Sequence, residues 1–150
     1  MTTMYERIGG EPVVRELCEL FHALVVADDL IGPMFAGSGE SHVRNLAKFM
    51  GEMFGGPARY TEDRGGVGGL YDAHLRLGIT EAQRERFVEL LLVAAREAGL
   101  PDDAGFRERF ARHIEAGSRF SAKFSQPEVA EAPRPAFPPM APWTWGEDDS

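Results

Sequence analysis

The sequence predicts an all-α domain, and three of its features favour this class. Four long segments carry apolar residues at helical spacing, whereas no stretch of four to eight residues alternates apolar and polar residues between turn signals. Hydrophobic residues make up 43% of the chain, which supplies enough apolar surface for a real core. Amphipathic helices can bury their apolar stripes only against one another, so the 150 residues suit one helical domain.

The first two long helices are predicted over residues 11–27 and residues 40–54. Pro12 is tolerated in the first turn of the earlier helix, because the N–H that proline lacks has no intrahelical partner there. The apolar stripe of the first helix consists of Val14, Leu17, Phe21, Leu24 and Val25. The longer face of the second helix consists of His42, Leu46, Phe49, Met50, Met53 and Phe54.

The third long helix has clear start and stop signals. Thr80 is a candidate N-cap and Gln83 lies three residues later, as a capping box requires. Gly99 and Pro101 then end the helix. A fourth helix is predicted over about residues 103–124. The apolar stripes are formed by Phe87, Leu90, Leu91 and Ala94 in the third helix and by Phe106, Phe110, Ile114, Gly117 and Phe124 in the fourth.

A glycine-rich segment separates the second and third helices. Residues 55–69 contain six glycines and one proline, which predicts a long loop. Loops of more than about 12–15 residues are usually functional or disordered. A short helical turn within residues 70–78 follows and carries His74 among apolar neighbours.

The chain changes character after Gln126, where it becomes rich in proline before an acidic end. We expect a domain of residues 1–124 followed by an extended, partly polyproline II tail of residues 125–150. Two alternatives stay open for this tail. It is disordered, or it docks onto the domain or a partner through its large aromatic residues, because tryptophan is costly to expose. Those residues are Phe137, Trp143 and Trp145.

Charge and composition count against several classes of function. The formal net charge is −8, which disfavours sequence-independent binding to nucleic acid and to anionic membrane surfaces. No apolar run approaches the ~18 residues of a membrane span, and the first residues lack the apolar stretch of a signal peptide. Cys18 is the single cysteine and is expected to pack as a small hydrophobe. We therefore expect a cytoplasmic protein, either a monomer or a homodimer.

Four histidines are the main candidates for chemistry: His22, His42, His74 and His113. Zinc is disfavoured, because the chain has one cysteine, no His-Glu-x-x-His motif, and histidines at least 20 residues apart. Heme requires less, since one neutral imidazole and a mostly apolar slot suffice. His74 suits this role, although a lone histidine is more often a surface residue or a satisfied core residue. Composition and periodicity allow a heme site without requiring one.

Several short motifs along the chain point to a known family in combination. They are Tyr5-Glu6-Arg7-Ile8-Gly9-Gly10, Phe21-His22 with Ala27-Asp28-Asp29, Met34-Phe35, Gly55-Gly56-Pro57-Ala58-Arg59-Tyr60-Thr61, Arg64-Gly65, Leu70 with His74, and Leu77-Gly78-Ile79-Thr80. Together they resemble the truncated hemoglobin family and are closest to its group II branch. The resemblance covers about residues 5–120 and is specific in the combination of its motifs.

This resemblance implies a two-over-two helical sandwich around heme b, which is iron protoporphyrin IX. It implies that His74 is the proximal iron ligand and that the glycine-rich segment lets His74 reach the iron without a full-length helix. Phe35 would pack on the porphyrin, and Tyr60 and Arg64 would hold the propionates or brace the loop. The distal cavity would be lined by His22, His42, Leu46 and Phe87. The remaining cofactor contacts are assigned to Phe49, Leu70 and Leu77.

The chain departs from the family's pattern where oxygen is usually stabilised. His22 stands where the family usually has a tyrosine, and Phe87 stands where group II usually has a tryptophan donor. The usual Arg-Gly-His-Pro becomes Arg64-Gly65-Gly66-Val67, and Ala73 replaces the arginine before the proximal histidine. Two distal imidazoles thus replace a tyrosine–tryptophan pair, and the family's way of stabilising oxygen does not carry over.

The resemblance implies reversible binding of oxygen, nitric oxide or carbon monoxide, and it is compatible with nitric-oxide dioxygenase or peroxidase-like turnover. His42 and His22 are the catalytic candidates. Each could donate a hydrogen bond to the ligand, occupy the sixth position of the iron, or act as an acid–base group. Turnover would need a separate, unidentified electron donor, because the chain has no flavin or nicotinamide motif.

Two alternative functions and two alternative interpretations of single histidines stay open. The chain could be a specialised heme enzyme that acts on an organic substrate beside the iron. It could also be a heme-free helical interaction module that docks through its tail. His22 could be an ordinary buried histidine beside Cys18, and His113 has no matched role in the family.

Overall fold

The structure, a computed structural model, describes residues 2–143, and this part of the chain contains helices and turns but no strand. The predicted all-α class is therefore confirmed. The helices are α1 (Met4–Ile8), α2 (Glu11–Val26), α3 (Gly39–Met53), α4 (Arg59–Arg64), α5 (Val67–His74), α6 (Glu81–Glu97), α7 (Ala104–Phe124) and α8 (Pro127–Ala130), with a 3₁₀ turn at Gly32–Phe35. None of the helices described is both long and apolar enough to cross a bilayer.

The long helices form two pairs that pack on each other. Helix α2 packs against α3, and α6 packs against α7. Extensive contact between α2 and α6 joins the two pairs, so α2 lies at the centre of the molecule. Helix α5 lies to one side, where it packs on α7 and α4.

The core is built on the predicted apolar face of α2. Val14, Leu17, Phe21 and Val25 are fully buried, as their spacing predicts. Cys18 is buried among them, and this burial raises the pKa of its thiol to about 12. The thiol is therefore protonated and packs as a small apolar group, as expected from the sequence.

The four long helices agree with their predicted limits to within one or two residues. The capping box at the start of α6 is present: the Gln83 N–H donates to Thr80 Oγ1 at 3.1 Å, and the Thr80 N–H donates to Gln83 Oε1 at 2.9 Å. A local sequence signal was therefore sufficient to predict where α6 begins.

The prediction of a loop over residues 55–69 was wrong for most of its length, since α4 and the first turn of α5 lie within it. Helix α4 begins where the buried Glu52 carboxylate accepts hydrogen bonds from the Thr61 N–H, at 2.8 Å, and from the Thr61 hydroxyl. A side chain at Gly69 would collide with the Arg64 carbonyl oxygen, so glycine permits the close approach of the two helices. The glycines therefore allow a tight helix–helix junction.

The tail beyond α7 packs on the helical domain. The Trp143 N–H donates to the Met53 carbonyl oxygen at 2.6 Å, and the Trp143 ring lies edge-on to Phe54 at 5.2 Å. Phe137 lies 5.0 Å from the ring of Tyr71 in α5. Docking onto the domain is therefore the alternative that the structure shows for Phe137 and Trp143, whereas Trp145 lies outside the described residues.

Candidate functional site

A pair of histidines forms where α2 packs on α3. The Nδ1 atoms of His22 and His42 lie 2.8 Å apart, within hydrogen-bonding distance. Both side chains are half-buried, and the Phe35 ring lies 4.6 Å from the ring of His42. Phe87 in α6 lies edge-on to Phe21 at 5.0 Å, and the Phe21 ring lies 6.5 Å from the ring of His42. Four of the residues predicted from the sequence are thus brought close together.

The short Nδ1–Nδ1 distance couples the tautomers of the two imidazoles. One Nδ1 must carry a proton and donate it while the other accepts, which leaves one ring with a protonated Nε2 and the other with an Nε2 lone pair. Burial, with a smaller contribution from the charge of His22, lowers the pKa of His42 to about 4. His42 is therefore neutral near pH 7, and the pair offers one donor and one acceptor to a third group.

His74 is the last residue of α5 and is held in a fixed tautomer. Its Nδ1 lies 2.8 Å from the Leu70 carbonyl oxygen. Since a carbonyl can only accept, Nδ1–H is the donor, and Nε2 of the neutral ring keeps its lone pair. Burial lowers the pKa of His74, which favours this neutral form. A donor bond from one ring nitrogen to a carbonyl is the usual arrangement of an imidazole that binds a metal.

In the described part of the chain, helix α5, which ends in His74, packs on α4 and α7, and its contacts with α3 and α6 are slight or absent. Half-buried apolar side chains are found on those two helices: Leu46 and Phe49 on α3, and Phe87 and Leu90 on α6. Heme requires one neutral imidazole and apolar surroundings, and the neutral His74 ring and these apolar side chains are residues of both kinds, so their chemistry fits this group.

The other predicted cofactor contacts surround α5. Leu70 is half-buried on α5, whereas Leu77 lies just beyond it and is 49% exposed. Tyr60 is buried with its ring edge-on to Phe49 at 5.5 Å, which braces α4 against α3, and this burial raises its pKa. Arg64 is exposed at the end of α4. The contact of Tyr60 with Phe49 agrees with the bracing role expected for Tyr60, which stays a prediction.

Two features of the site region were missed by the sequence analysis. An open cavity of about 680 Å³ lies between the end of α2 and the 3₁₀ turn, and His22, Asp28 and Phe35 are among its lining residues. His113, to which the sequence assigned no role, stacks on Trp143 with ring planes 12° apart and centroids at 5.5 Å. The sequence could not predict this contact, because the two residues are 30 positions apart and no periodic pattern relates a helix to a tail.

Comparisons with known proteins were made for sequence and for fold. A family model described as bacterial-like globin matches residues 3–116. Among curated relatives, the group 1 truncated hemoglobin GlbN of Nostoc sp. is 38% identical over 61 residues, which is 40% of this chain. The chain spans about half of that relative, 52% of its length. The group 2 truncated hemoglobin YjbI of Bacillus subtilis is 29% identical over 115 residues, covering 73% of this chain and 86% of the relative.

Solved structures show the same fold. The hemoglobin of the thermophilic bacterium Chloroflexus aurantiacus superposes with a TM-score of 0.72 and 30% identity, covering 81% of this chain and 98% of that one. The group II truncated hemoglobin of Bacillus anthracis superposes with a TM-score of 0.74 and 24% identity, covering 88% and 98%, and supports the fold alone. These similarities confirm the two-over-two helical sandwich expected from the sequence.

Proposed function

The chain belongs to the bacterial-like globin family, as a truncated hemoglobin, and we propose that it holds heme b through His74 and binds oxygen or another diatomic gas reversibly. Heme binding is expected for this family. When bound, the heme supplies an iron centre at which a diatomic gas is held reversibly, and the polarity and donors of the distal side govern its fate.

One observation carries this proposal: the hydrogen bond from His74 Nδ1 to the Leu70 carbonyl oxygen at 2.8 Å. It fixes the ring orientation and leaves Nε2 as the nitrogen that can bind a metal. Because Leu70 lies one turn before His74 in α5, the helix itself holds the imidazole in place. The helix pairs in extensive contact in the described residues do not include α5 with α3 or with α6, which is compatible with a flat group bound between them.

The apolar residues assigned to the heme site would exclude water and pack against the porphyrin ring. Ligand sites of this kind are mostly apolar with a few placed polar groups. We assign the contacts with the ring to Phe35, Leu46, Phe49, Leu70, Leu77 and Phe87. The exposed half of the Leu77 side chain is then apolar surface that a bound ring would cover.

Hydrogen bonding to the gas falls to the histidine pair, because Phe87 has no donor. In the coupled pair, the ring that accepts at Nδ1 carries its proton on Nε2 and can donate from there. A shift of the shared proton exchanges the donor and acceptor rings. His22 and His42 therefore provide a donor without requiring a charged imidazole, consistent with the lowered pKa of His42.

Absorption spectra of the purified protein with added hemin test the proposal directly. We expect a Soret band in the wild type and its loss in His74→Ala. His113→Phe is the matched control, since it removes another histidine while keeping a ring against Trp143, and should bind hemin as the wild type does. A wild type without a Soret band would reject the proposal and favour the heme-free interaction module. A His74→Ala variant that keeps an unchanged band would reject His74 as the residue that holds the heme.

The same sample distinguishes the roles of the histidine pair. A high-spin ferrous spectrum would exclude occupation of the sixth position by His22 or His42, whereas a low-spin spectrum that turns high-spin in His42→Leu or His22→Leu would demonstrate it. Spectra with oxygen, carbon monoxide and nitric oxide then rank the ligands.

Peroxidase-like turnover is a second candidate function, and the neutral His42 beside His22 is the observation that favours it. A neutral imidazole can accept a proton from peroxide and return it to the leaving oxygen. This activity, like nitric-oxide dioxygenation, needs an external electron donor. We expect peroxide turnover, measured with an added chemical reductant, to fall at least tenfold in His42→Leu. Unchanged turnover in both His42→Leu and His22→Leu would contradict this role and leave reversible gas binding as the function.

A further inference from the structure

The chain continues beyond the fold that it shares with its relatives. The family model ends at residue 116, and the Chloroflexus structure is covered to 98% while 81% of this chain is used. Residues 127–143 lie beyond the family model and include residues that the shared fold does not account for. This extension, which we call the tail, is exposed over most of its residues but contacts the domain at Arg134, Phe137 and Trp143.

The first part of the tail packs on the helix that ends in His74. Arg134 forms an ion pair with Asp72 and lies over the ring of Tyr71 at 5.3 Å. A side-chain carbon at Gly68 would lie only 2.7 Å from the Arg134 guanidinium, so glycine at this position of α5 makes room for Arg134. Phe137 packs on Tyr71 at 5.0 Å. Three positions of α5 are thus engaged by the tail.

The segment just after His74 is tied to the two residues that precede the tail. Ser125 is fully buried; its carbonyl oxygen accepts from the Gly78 N–H at 2.8 Å, and its hydroxyl accepts from the Ile79 N–H at 2.9 Å. The Gln126 side-chain amide donates to the Ile79 carbonyl oxygen at 2.9 Å. The chain is therefore held on both sides of His74.

The end of the tail reaches α3. The Trp143 N–H bonds to the last carbonyl of that helix, on Met53, at 2.6 Å. The Trp143 ring lies edge-on to Phe49 at 6.3 Å and to Phe54 at 5.2 Å. One continuous segment thus connects the His74 helix with the helix that carries Phe49.

We propose that the tail is a strap that positions the His74 helix and sets how firmly the heme is retained. Arg134 and Phe137 are positioning residues, which act on heme through α5. The ion pair of Arg134 with Asp72 is about half exposed, and such pairs contribute little. The packing of Phe137 on Tyr71 therefore carries more of the attachment than the charge does. The part of this proposal that concerns heme rests on the proposed function.

Hydrogen exchange of the heme-free, full-length protein tests the strap without heme. We expect Phe137→Ala to accelerate exchange of the amides in residues 67–78 by about tenfold, and Arg134→Ala by about threefold, because local opening no longer breaks tail contacts. Arg112→Ala, which removes an exposed ion pair within α7, is the matched control and should leave these amides unchanged. Equal exchange in all four proteins, or an acceleration spread evenly over α2 and α6, would overturn the strap.

The loaded protein supplies a second readout through the iron–histidine bond. We expect Phe137→Ala to shift or broaden the iron–histidine stretching band of the ferrous protein and to speed hemin transfer to apomyoglobin at least fivefold. Reversal of the charge in Arg134→Asp should speed hemin transfer. Adding Asp72→Arg to the same chain should restore the slower transfer rate of the wild type. Faster hydrogen exchange in α5 with an unchanged iron–histidine band and an unchanged hemin transfer rate in all of these variants would show that the strap does not position His74. A wild type that binds no hemin would reject the proposed function, while hydrogen exchange still decides the strap.

Discussion

At the scale of the residue, the His22–His42 pair ties the stability of the fold to pH. Burial lowers the pKa of His42 from its ordinary value of 6.5 to about 4, and His22 opposes its protonation from α2. The unfolded chain therefore binds a proton at His42 below pH 6.5 that the folded chain does not bind until about pH 4. The contribution of His42 to stability is thus complete above pH 6.5 and is lost as the pH falls toward 4.

We expect the heme-free wild type to lose more stability between pH 7 and pH 4.5 than His42→Leu loses, because leucine has no proton to bind. Urea unfolding curves at several pH values measure this difference. His113→Phe serves as the control, since it removes a histidine outside the pair and should follow the wild-type pH dependence more closely. Parallel pH dependences of the wild type and His42→Leu would show that His42 titrates normally in the folded protein.

The sequence predicted which residues would gather at this site, but not how they bond. His22 and His42 are 20 positions apart, and only a resemblance to a known family placed them on the same side of the pocket. The Nδ1–Nδ1 contact depends on how α2 and α3 pack, which no local pattern encodes. The stacking of His113 on Trp143 was missed for the same reason, because it joins a helix to a tail.

At the scale of the element, helices with a regular apolar stripe were predictable and short helices were not. Thr80 and Gln83 fixed the start of α6, and the stripe of α2 is buried as its spacing predicts. Helix α4 has six residues and no apolar stripe, so its sequence resembles a loop. It forms because the buried Glu52 side chain binds the Thr61 N–H, which is a tertiary interaction.

Two glycines in helices have opposite roles, and this gives a prediction for α5 and α7. A Cβ at Gly69 would collide with the Arg64 carbonyl oxygen, whereas a Cβ at Gly117 would meet no atom within 4 Å. We expect Gly69→Ala to lower the free energy of unfolding by about 2 kcal/mol, because α4 and α5 must move apart. Gly117→Ala should raise it by about 0.5–1 kcal/mol, because alanine restricts the unfolded chain and favours the helix.

Chemical unfolding of the two variants and the wild type measures both changes in the free energy of unfolding, the expected decrease for Gly69→Ala and the expected increase for Gly117→Ala. The two substitutions add the same methyl group within a helix, so each is the other's control. A Gly69→Ala variant as stable as the wild type would contradict the tight α4–α5 junction. In that case the glycine-rich segment would be the flexible connection that its composition first predicts.

At the scale of the whole molecule, the tail adds packing contacts beyond the residues that the family model matches. Trp143 packs edge-on to Phe54, and Phe110 lies 6.1 Å away on the same side. We expect Trp143→Ala to lower the free energy of unfolding by about 2 kcal/mol, less than for a fully buried tryptophan because the ring is half-buried. Val26→Ala, at a side chain 50% exposed, is the control and should change stability by less than about 0.5 kcal/mol. Equal stability of Trp143→Ala and the wild type would instead support a disordered tail.

Heme should stabilise the whole molecule, because it would bind between helices that are assembled only in the folded state. A ligand at 100 times its dissociation constant stabilises the folded state by about 2.7 kcal/mol, so the melting temperature should rise with hemin concentration. This stabilisation has two sources, the burial of the porphyrin ring and the bond between the iron and His74. Metal-free protoporphyrin IX separates them, because it buries the same ring but forms no bond to His74. We expect a large shift with hemin and a smaller shift with the metal-free ring in the wild type. In His74→Ala the two shifts should be equal, and a hemin shift as large as in the wild type would mean that another residue binds the iron.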